Sequence, residues 1–331
     1  MEIIKGIHQL KIPFPKGMPG DVNVYIIEGN DGNIMIDSGW DSQESLGAFG
    51  EGLKADRLKL RDIKTIVITH IHPDHYGLAS KVKQLCGAKV AMDKIEAGII
   101  SPRYKNFTEL LKRVEEEAKR NGIPETELPD FRDASLWMNK FVAPEPPDVL
   151  LDDGDRFSNG SFEIQVIRTP GHSPGHICLY EPKKRLLFSG DHVLYETTPH
   201  VGFNPQSGDN PLGDYVSSLQ KLTNIKVSFV LPGHGPVFNS LNLRVEGILH
   251  HHEERKRQIV RALDRGSKTA YQVAQEITWM PEEGGVAFKD LAPWDRRLAV
   301  METIAHLKLL ATEGKVASVD MDGVCLYLAK D

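Results

Sequence analysis

The chain has 331 residues, 40% of them apolar and 26% charged, enough apolar side chain for a large core and too little charge excess for disorder. Lys and Arg number 40 against 46 Asp and Glu, a formal net charge of −6, which excludes a global electrostatic grip on nucleic acid or anionic membrane and leaves room only for a local basic groove. The three cysteines, Cys86, Cys178 and Cys325, are odd in number and far apart, which speaks against a disulfide framework and for a reducing cytoplasm. No basic head with a long apolar run opens the chain, and no stretch of about 18 apolar residues follows. The expectation is a protein neither secreted nor membrane-spanning.

Residues 22–37 hold two apolar runs around Gly29-Asn-Asp-Gly32 and predict a hairpin. Lys64–Thr69 reads as a buried strand, Gly77–Leu85 as a helix and Ala88–Met92 as another strand, an alternation that means a layered α/β architecture. Residues 100–145 break this rhythm. They contain a charged helix over Phe107–Gly122 with Leu110, Leu111, Val114 and Ala118 on one face, then a Pro-rich stretch with Phe131, Trp137 and Phe141. This segment reads as a helical insertion between two ligand-bearing regions and as a candidate lid. Strands return at Phe162–Ile167, Arg185–Phe188 and Val227–Leu231.

The character changes near residue 240. Helices over His250–Arg265, from Thr269, and over Trp294–Glu313 precede two short strands around Asp320–Gly323. The expected organisation is a catalytic domain over 1–240 and a small, mostly helical, winged-helix-like domain over 241–331. That tail carries 13 basic and 14 acidic residues, without the excess of a strong DNA binder.

Thr69-His70-Ile71-His72-Pro73-Asp74-His75 places four potential metal ligands within six residues, directly after an apolar strand. In an extended segment His70 and His72 share a side, and Asp74 and His75 turn toward the same space as a helix begins. Four further apolar runs end in Asp37, His172, Asp191 and His234, mostly beside glycine. Open α/β sheets bind ligands at that edge. Imidazole and carboxylate without nearby cysteine suit zinc, with iron or manganese as alternatives. One carboxylate between two triads suits two divalent metal ions.

This ordered set, His70-x-His72-x-Asp74-His75, His172, Asp191 and His234 preceded by Asp37, resembles the motif series of the metallo-β-lactamase-fold hydrolases over roughly residues 1–240. The resemblance implies an αββα sandwich. It also implies His70, His72 and His172 on one metal, Asp74, His75 and His234 on the other, Asp191 bridging, and Asp37 behind the ligands orienting them. His176 matches a family histidine that usually stands off the metals, and reads as support for the ligands. The tail resembles more weakly the winged-helix-like tail of some endoribonuclease-type members. Antibiotic-cleaving members commonly carry cysteine or serine at the Asp191 position, which argues against β-lactams as the main substrate. Flavodiiron members carry glutamate at the His72 position and append a flavin domain.

The expected activity is therefore hydrolysis of a small ester, thioester or lactone-like substrate by a metal-bridged hydroxide, with Asp74 receiving or relaying the proton. A metal-dependent endoribonuclease or phosphodiesterase is the alternative, disfavoured by charge, and an iron-dependent oxidoreductase is a weaker third reading. The expected partner is a small molecule rather than RNA or membrane, and nothing in the sequence marks an oligomeric state. Tyr195 and His200, on a loop leaving the strand-end edge, are candidate substrate contacts. His192 is expected to point away from the ions, and His250-His251-His252 to form a solvated helix face.

Overall fold

The computed structural model describes residues 1–331 other than Gly17, Asp130, Phe131, residues 133–138, residues 281–283 and Asp331, so Phe131 and Trp137 of the predicted insertion lie outside the described residues. A first sheet holds β1 (Glu2–Ile4), β2 (Ile7–Pro13), β3 (Asp21–Ile27), β4 (Asn33–Ile36), β5 (Ile63–Ile68), β6 (Lys89–Asp93) and β7 (Val149–Leu151) in chain order. Pairing is antiparallel up to β4 and parallel beyond it. The second sheet runs β12 (Phe229–Pro232), β11 (Leu186–Gly190), β10 (Ile177–Glu181), β9 (Glu163–Arg168), β8 (Arg156–Ser158). The predicted hairpin is β3–β4, with Tyr25 opposite Ile36 and Ile27 opposite Ile34.

Alternation along each strand builds the layers. In β3, Tyr25 and Ile27 join Phe162, Ile164, Val166, Leu179 and Phe188 between the two sheets. Val22, Val24 and Ile26 face the other way, toward Phe49, Leu53, Val82 and Ile100 of helices Gln43–Ala55, Ala79–Cys86 and Lys94–Ile100. Both faces are covered, so the strand reads as one continuous apolar run. The outer face of the second sheet, through Ile167, Cys178, Leu187 and Val230, is covered by Leu212, Tyr215 and Leu219 of helix Pro211–Thr223. The result is helix, sheet, sheet, helix.

After residue 240 the described elements are helices Leu241–Leu263, Ala270–Gln275 and Pro293–Thr312 and two hairpins, β13 (Thr278–Trp279) with β14 (Val286–Ala287) and β15 (Val316–Met321) with β16 (Val324–Ala329). The predicted Thr269 start is a capping box: its side chain accepts from Gln272 N while Gln272 bonds back to Thr269 N. The helix expected from His250 begins nine residues earlier, at Leu241. Its first turns pack on the second sheet through Val245 and Ile248, and its last turns join Val300, Leu307 and Tyr327 in a cluster that also takes Ala118, Ile123 and Leu128 from the insertion. The insertion and the tail thus share one apolar core. No helix among the described residues is long and apolar enough to cross a membrane.

The solvated-face expectation for His250-His251-His252 needs correction. The His250 side chain is 71% exposed, but His252 is buried, with its Nδ1 3.1 Å from His306 Nε2, and His306 Nδ1 donates to Glu302 O at 2.8 Å. Helix Pro293–Thr312 covers that position, and a single charged neighbourhood in sequence does not show which turn faces inward. Burial first, and neighbouring positive groups after it, push the pKa of His252 well below 6.5 and that of His306 to about 3. A folded pKa below the unfolded one gives stability that is complete above about 6.5 and lost as pH falls toward the folded value. Replacing both histidines with Gln should therefore lessen the stability lost between about pH 7.5 and about pH 5, by up to about 2 kcal/mol per histidine. Denaturant titrations of wild type and double variant at both pH values check this, and equal losses would contradict it.

Candidate metal centre

The strand ends deliver the site. Asp37 follows β4, His70 follows β5, His172 follows β9, Asp191 follows β11 and His234 follows β12. His72 precedes the short helix Pro73–Tyr76, whose Pro73 lacks the N–H that a first helical turn leaves unused. That turn swings Asp74 and His75 to the same space. Asp37 itself adopts φ 59, a left-handed conformation that Asp tolerates better than most residues and that recurs where function constrains the backbone.

The convergent atoms form two groups that meet at Asp191. His70 Nε2, His72 Nδ1 and His172 Nε2 lie 3.0, 3.0 and 3.2 Å apart pairwise. His234 Nε2 stands 3.2 Å from Asp74 Oδ2, and His75 Nε2 stands 3.7 Å from the same oxygen. Asp191 reaches both groups, 3.7 Å from His172 Nε2 and 3.4 Å from both His75 Nε2 and His234 Nε2.

The outer ring nitrogens have acceptors of their own. His172 Nδ1 donates to His200 O, His234 Nδ1 to Asp21 O and His75 Nδ1 to Asp37 Oδ2, each at 2.8 Å. Thr69 Oγ1 donates to Asp37, which leaves its oxygen to accept from His70 Nδ1 at 3.1 Å. These bonds orient the four rings so that their inner nitrogens point to a shared centre. His75 Nε2 and Asp191 Oδ1 are buried and make no hydrogen bond among the described residues. The crowded lone pairs of His70, His72 and His172, beside the orphaned His75 Nε2 and Asp191 Oδ1, fit divalent cations. A Cβ on Gly233 would stand 2.5 Å from Asp191 Oδ1 and 2.7 Å from His75 Cε1, so glycine is what lets this loop close on the centre.

The electrostatics divide along the same line. Burial, reinforced by the neighbouring imidazoles, holds the pKa values of His70 and His72 well below 6.5. Burial also opposes a proton on His75, yet Asp191, Asp37 and Asp74 raise it to about 10, and Asp191 and Asp74 likewise raise His234. Against their own burial, Asp74 and Asp191 are held below the usual carboxylate range by His75 and His234. The imidazole half stays neutral, whereas the carboxylate half holds protons on His75 and His234 that a bound cation would displace.

His176 stands behind this centre. Its Nε2 accepts from Asp191 N at 3.2 Å and its Nδ1 meets Thr169 Oγ1 at 2.9 Å. Glu96, which sequence reasoning missed, accepts Ile71 N at 2.8 Å and Gly175 N at 2.6 Å, tying two ligand-bearing loops together. Its signal was a lone carboxylate in the otherwise apolar Ile95–Ile100 turn. His192 is buried beside Tyr215, away from the converging ring nitrogens.

Above the centre opens a cavity of about 550 Å³, floored by His72, Asp74 and His172. Its walls come from Phe14 and Trp40, from Tyr104, Phe107, Leu110, Leu111 and Val114 of the insertion, and from Trp294, Leu298 and Met301 of the tail. His200 lines it. Tyr195 does not: it is half exposed, with its ring 5.2 Å from that of Phe238. Of the two substrate-contact candidates, only His200 faces the cavity.

Residues 17–234 match the family model described as the metallo-beta-lactamase superfamily. The chain belongs to the metallo-β-lactamase superfamily. Among its relatives, the "Probable metallo-hydrolase YqjP" of Bacillus subtilis is 28% identical over 319 residues, 93% of each chain. The human "Acyl-coenzyme A thioesterase MBLAC2" is 29% identical over 231 residues, 67% of this chain and 75% of that protein. The crystal structure of the metallo-beta-lactamase family protein TTHA1429 from Thermus thermophilus superposes with a TM-score of 0.84 at 27% identity, covering 99% of this chain and 100% of that one. In this superfamily member Asp37 grips the His75 ring from behind. Asp37→Asn should therefore weaken metal binding by about tenfold to hundredfold without changing the far-ultraviolet circular dichroism. Competition against a chromophoric chelator measures it, and an unchanged affinity would contradict the role.

Proposed function

We propose that this metal-dependent hydrolase works with two metal ions on a small ester, thioester or lactone-like substrate. His70, His72 and His172 would hold one ion, Asp74, His75 and His234 the other, and Asp191 both. The thiolate-free donor set suits zinc first, and iron or manganese after it. Bound there, the ions would supply a water acidic enough to attack near neutral pH and a Lewis acid for the scissile carbonyl. The protein's own residues do the rest. Asp37, His176 and the His200 carbonyl hold the converging groups in orientation. Asp74 stands on the cavity floor, placed to receive or relay the proton of the attacking water.

The observation that carries this reading is the cavity. Its size falls within the range of small-molecule sites, and apolar side chains from the insertion and the tail wall it above the converging ligands, which suits an acyl portion and shields the reaction from bulk water. The thioesterase name of the human relative favours a thioester. The tail here supplies wall, not a basic stripe, which weighs against RNA. The unpaired Cys86, Cys178 and Cys325 suit a reducing cytoplasm.

Protein purified without chelator should carry close to two metal ions per chain by elemental analysis, and a value fixed at one under metal-replete conditions would defeat the two-ion reading. It should hydrolyse a neutral short-chain acyl thioester at a rate that changes little between about 50 and about 200 mM salt, because charge interactions in a walled cavity are weakly screened. Asp191→Ala should reduce that rate to background. Salt-sensitive, Asp191-dependent RNA cleavage without thioester hydrolysis would replace this function by the ribonuclease alternative.

A further inference from the structure

Two arginines line the cavity, neither in an ion pair with a described carboxylate. Arg297, on helix Pro293–Thr312, is only 8% exposed, and its Nε makes no hydrogen bond among the described residues. No described carboxylate lies within ion-pair distance of it. Its guanidinium carbon sits 5.2 Å from the Trp294 ring centroid. Arg103, on the insertion, lies 3.5 Å from Gln206 Oε1 with its guanidinium 5.9 Å from the Tyr104 ring centroid, and the buried Glu96 carboxylate feels its charge. Both line the same space as His72, Asp74 and His172.

An arginine removed from water with its charge uncompensated is costly, and such groups are normally paired. Here the Arg297 guanidinium faces a second positive charge instead. Burial, and then Arg103, lower the pKa of Arg297 to about 10, still high enough to leave it cationic at neutral pH. Asp74 is the only carboxylate among the cavity's described lining residues, and it belongs to the metal centre. The cavity therefore has a cationic spot at Arg297 that no described residue neutralises, set in an apolar wall of the tail with Arg103 of the insertion beside it.

We propose that Arg297, with Arg103, binds an anionic group on the substrate, so that the substrate is an acyl compound with an apolar portion and a carboxylate or phosphate remote from the bond that is cleaved. A planar guanidinium matches either oxyanion through paired N–H donors. The pair selects the substrate and fixes how it lies over the metal centre; it takes no part in bond cleavage. This inference rests on the hydrolase reading of the same cavity.

The test compares two thioesters that differ only at the far end of the acyl chain, one ending in a carboxylate and the other in its methyl ester. Wild type should favour the carboxylate in kcat/KM. In Arg297→Met that preference should collapse by about tenfold to hundredfold, the effect of a lost hydrogen bond to a charged group, chiefly through KM. Arg297→Lys should restore part of it. A preference absent in wild type, or unchanged in Arg297→Met, overturns the proposal. Calorimetric titration of the metal-loaded protein with hexanoate, hexyl phosphate and hexanamide gives a readout that needs no turnover. Hexanoate or hexyl phosphate should bind more tightly than the amide in wild type, with the difference lost in Arg297→Met, and the tighter of the two names the anion. Equal binding by wild type and Arg297→Met, or none, overturns the proposal. If wild type cleaves neither thioester, the hydrolase reading fails by itself, and the titrations still decide the anion site. Removing an unpaired buried charge should not lower the melting temperature of Arg297→Met. If it does, the Arg297→Lys protein, which keeps the charge, supplies the comparison.

Discussion

Asp37 joins three parts of the chain into one rigid unit. Its Oδ1 accepts the Thr69 N–H at 2.8 Å, and its Oδ2 accepts from the Thr69 hydroxyl at 2.9 Å and from His75 Nδ1 at 2.8 Å. The end of β4, the end of β5 and the first turn after His72 are thereby locked to one buried carboxylate. A charge buried this deeply is tolerable only where donors surround it. The payload of those donors is positional: His70 and His75 can present only their inner nitrogens. The left-handed backbone at Asp37 and the glycine at 233 are local concessions to the same convergence.

Glu96 plays the corresponding part across the seam between sheets. It accepts one backbone N–H from the His70–His72 loop and one from the loop that follows His172, so the two histidine-bearing segments are tied before any ion arrives. Burial raises its pKa, opposed by the donors from Gly175 and Ile71. Tyr104 adds a bond from the insertion to Ile71 O at 2.6 Å. The wall above the candidate metal centre is thus hydrogen-bonded to the loop below it.

What could be read from the sequence, and what could not, follows from where each signal resides. His70, His72, Asp74 and His75 are legible because one local conformation dictates their common direction. Asp37, His172, Asp191 and His234 are legible because strand ends sit at one edge in a layered sheet. The strands β3, β5 and β9 announce themselves by β-branched runs, and β6 by a short apolar one. Helix Pro211–Thr223 escapes because its first turn holds Pro211 and Gly213, and helix Gln43–Ala55 because three glycines interrupt it. Charge alone could not tell His250 from His252, since facing is set by the partner helix. Arg297 is hidden for the same reason: helix Pro293–Thr312 buries residues around most of its circumference, so no periodicity marks the turn that meets the cavity.

The shared core of insertion and tail bears on how substrate choice can vary without disturbing the metal centre. Ala118, Ile123 and Leu128 pack with Val300, Leu307 and Tyr327, and Tyr271 Oη donates to Glu127 Oε1 at 2.6 Å. These contacts lie outside the sandwich that positions the histidines. Side chains on the cavity side of this layer, such as Leu110, Leu298 and Met301, can change size while the strand ends keep their places. The sandwich needs its ligands at fixed directions, whereas the wall needs only to match what it encloses. The wall is tied to the sandwich through Tyr104 and through Val245 and Ile248, and it meets the converging side chains at the floor of one cavity.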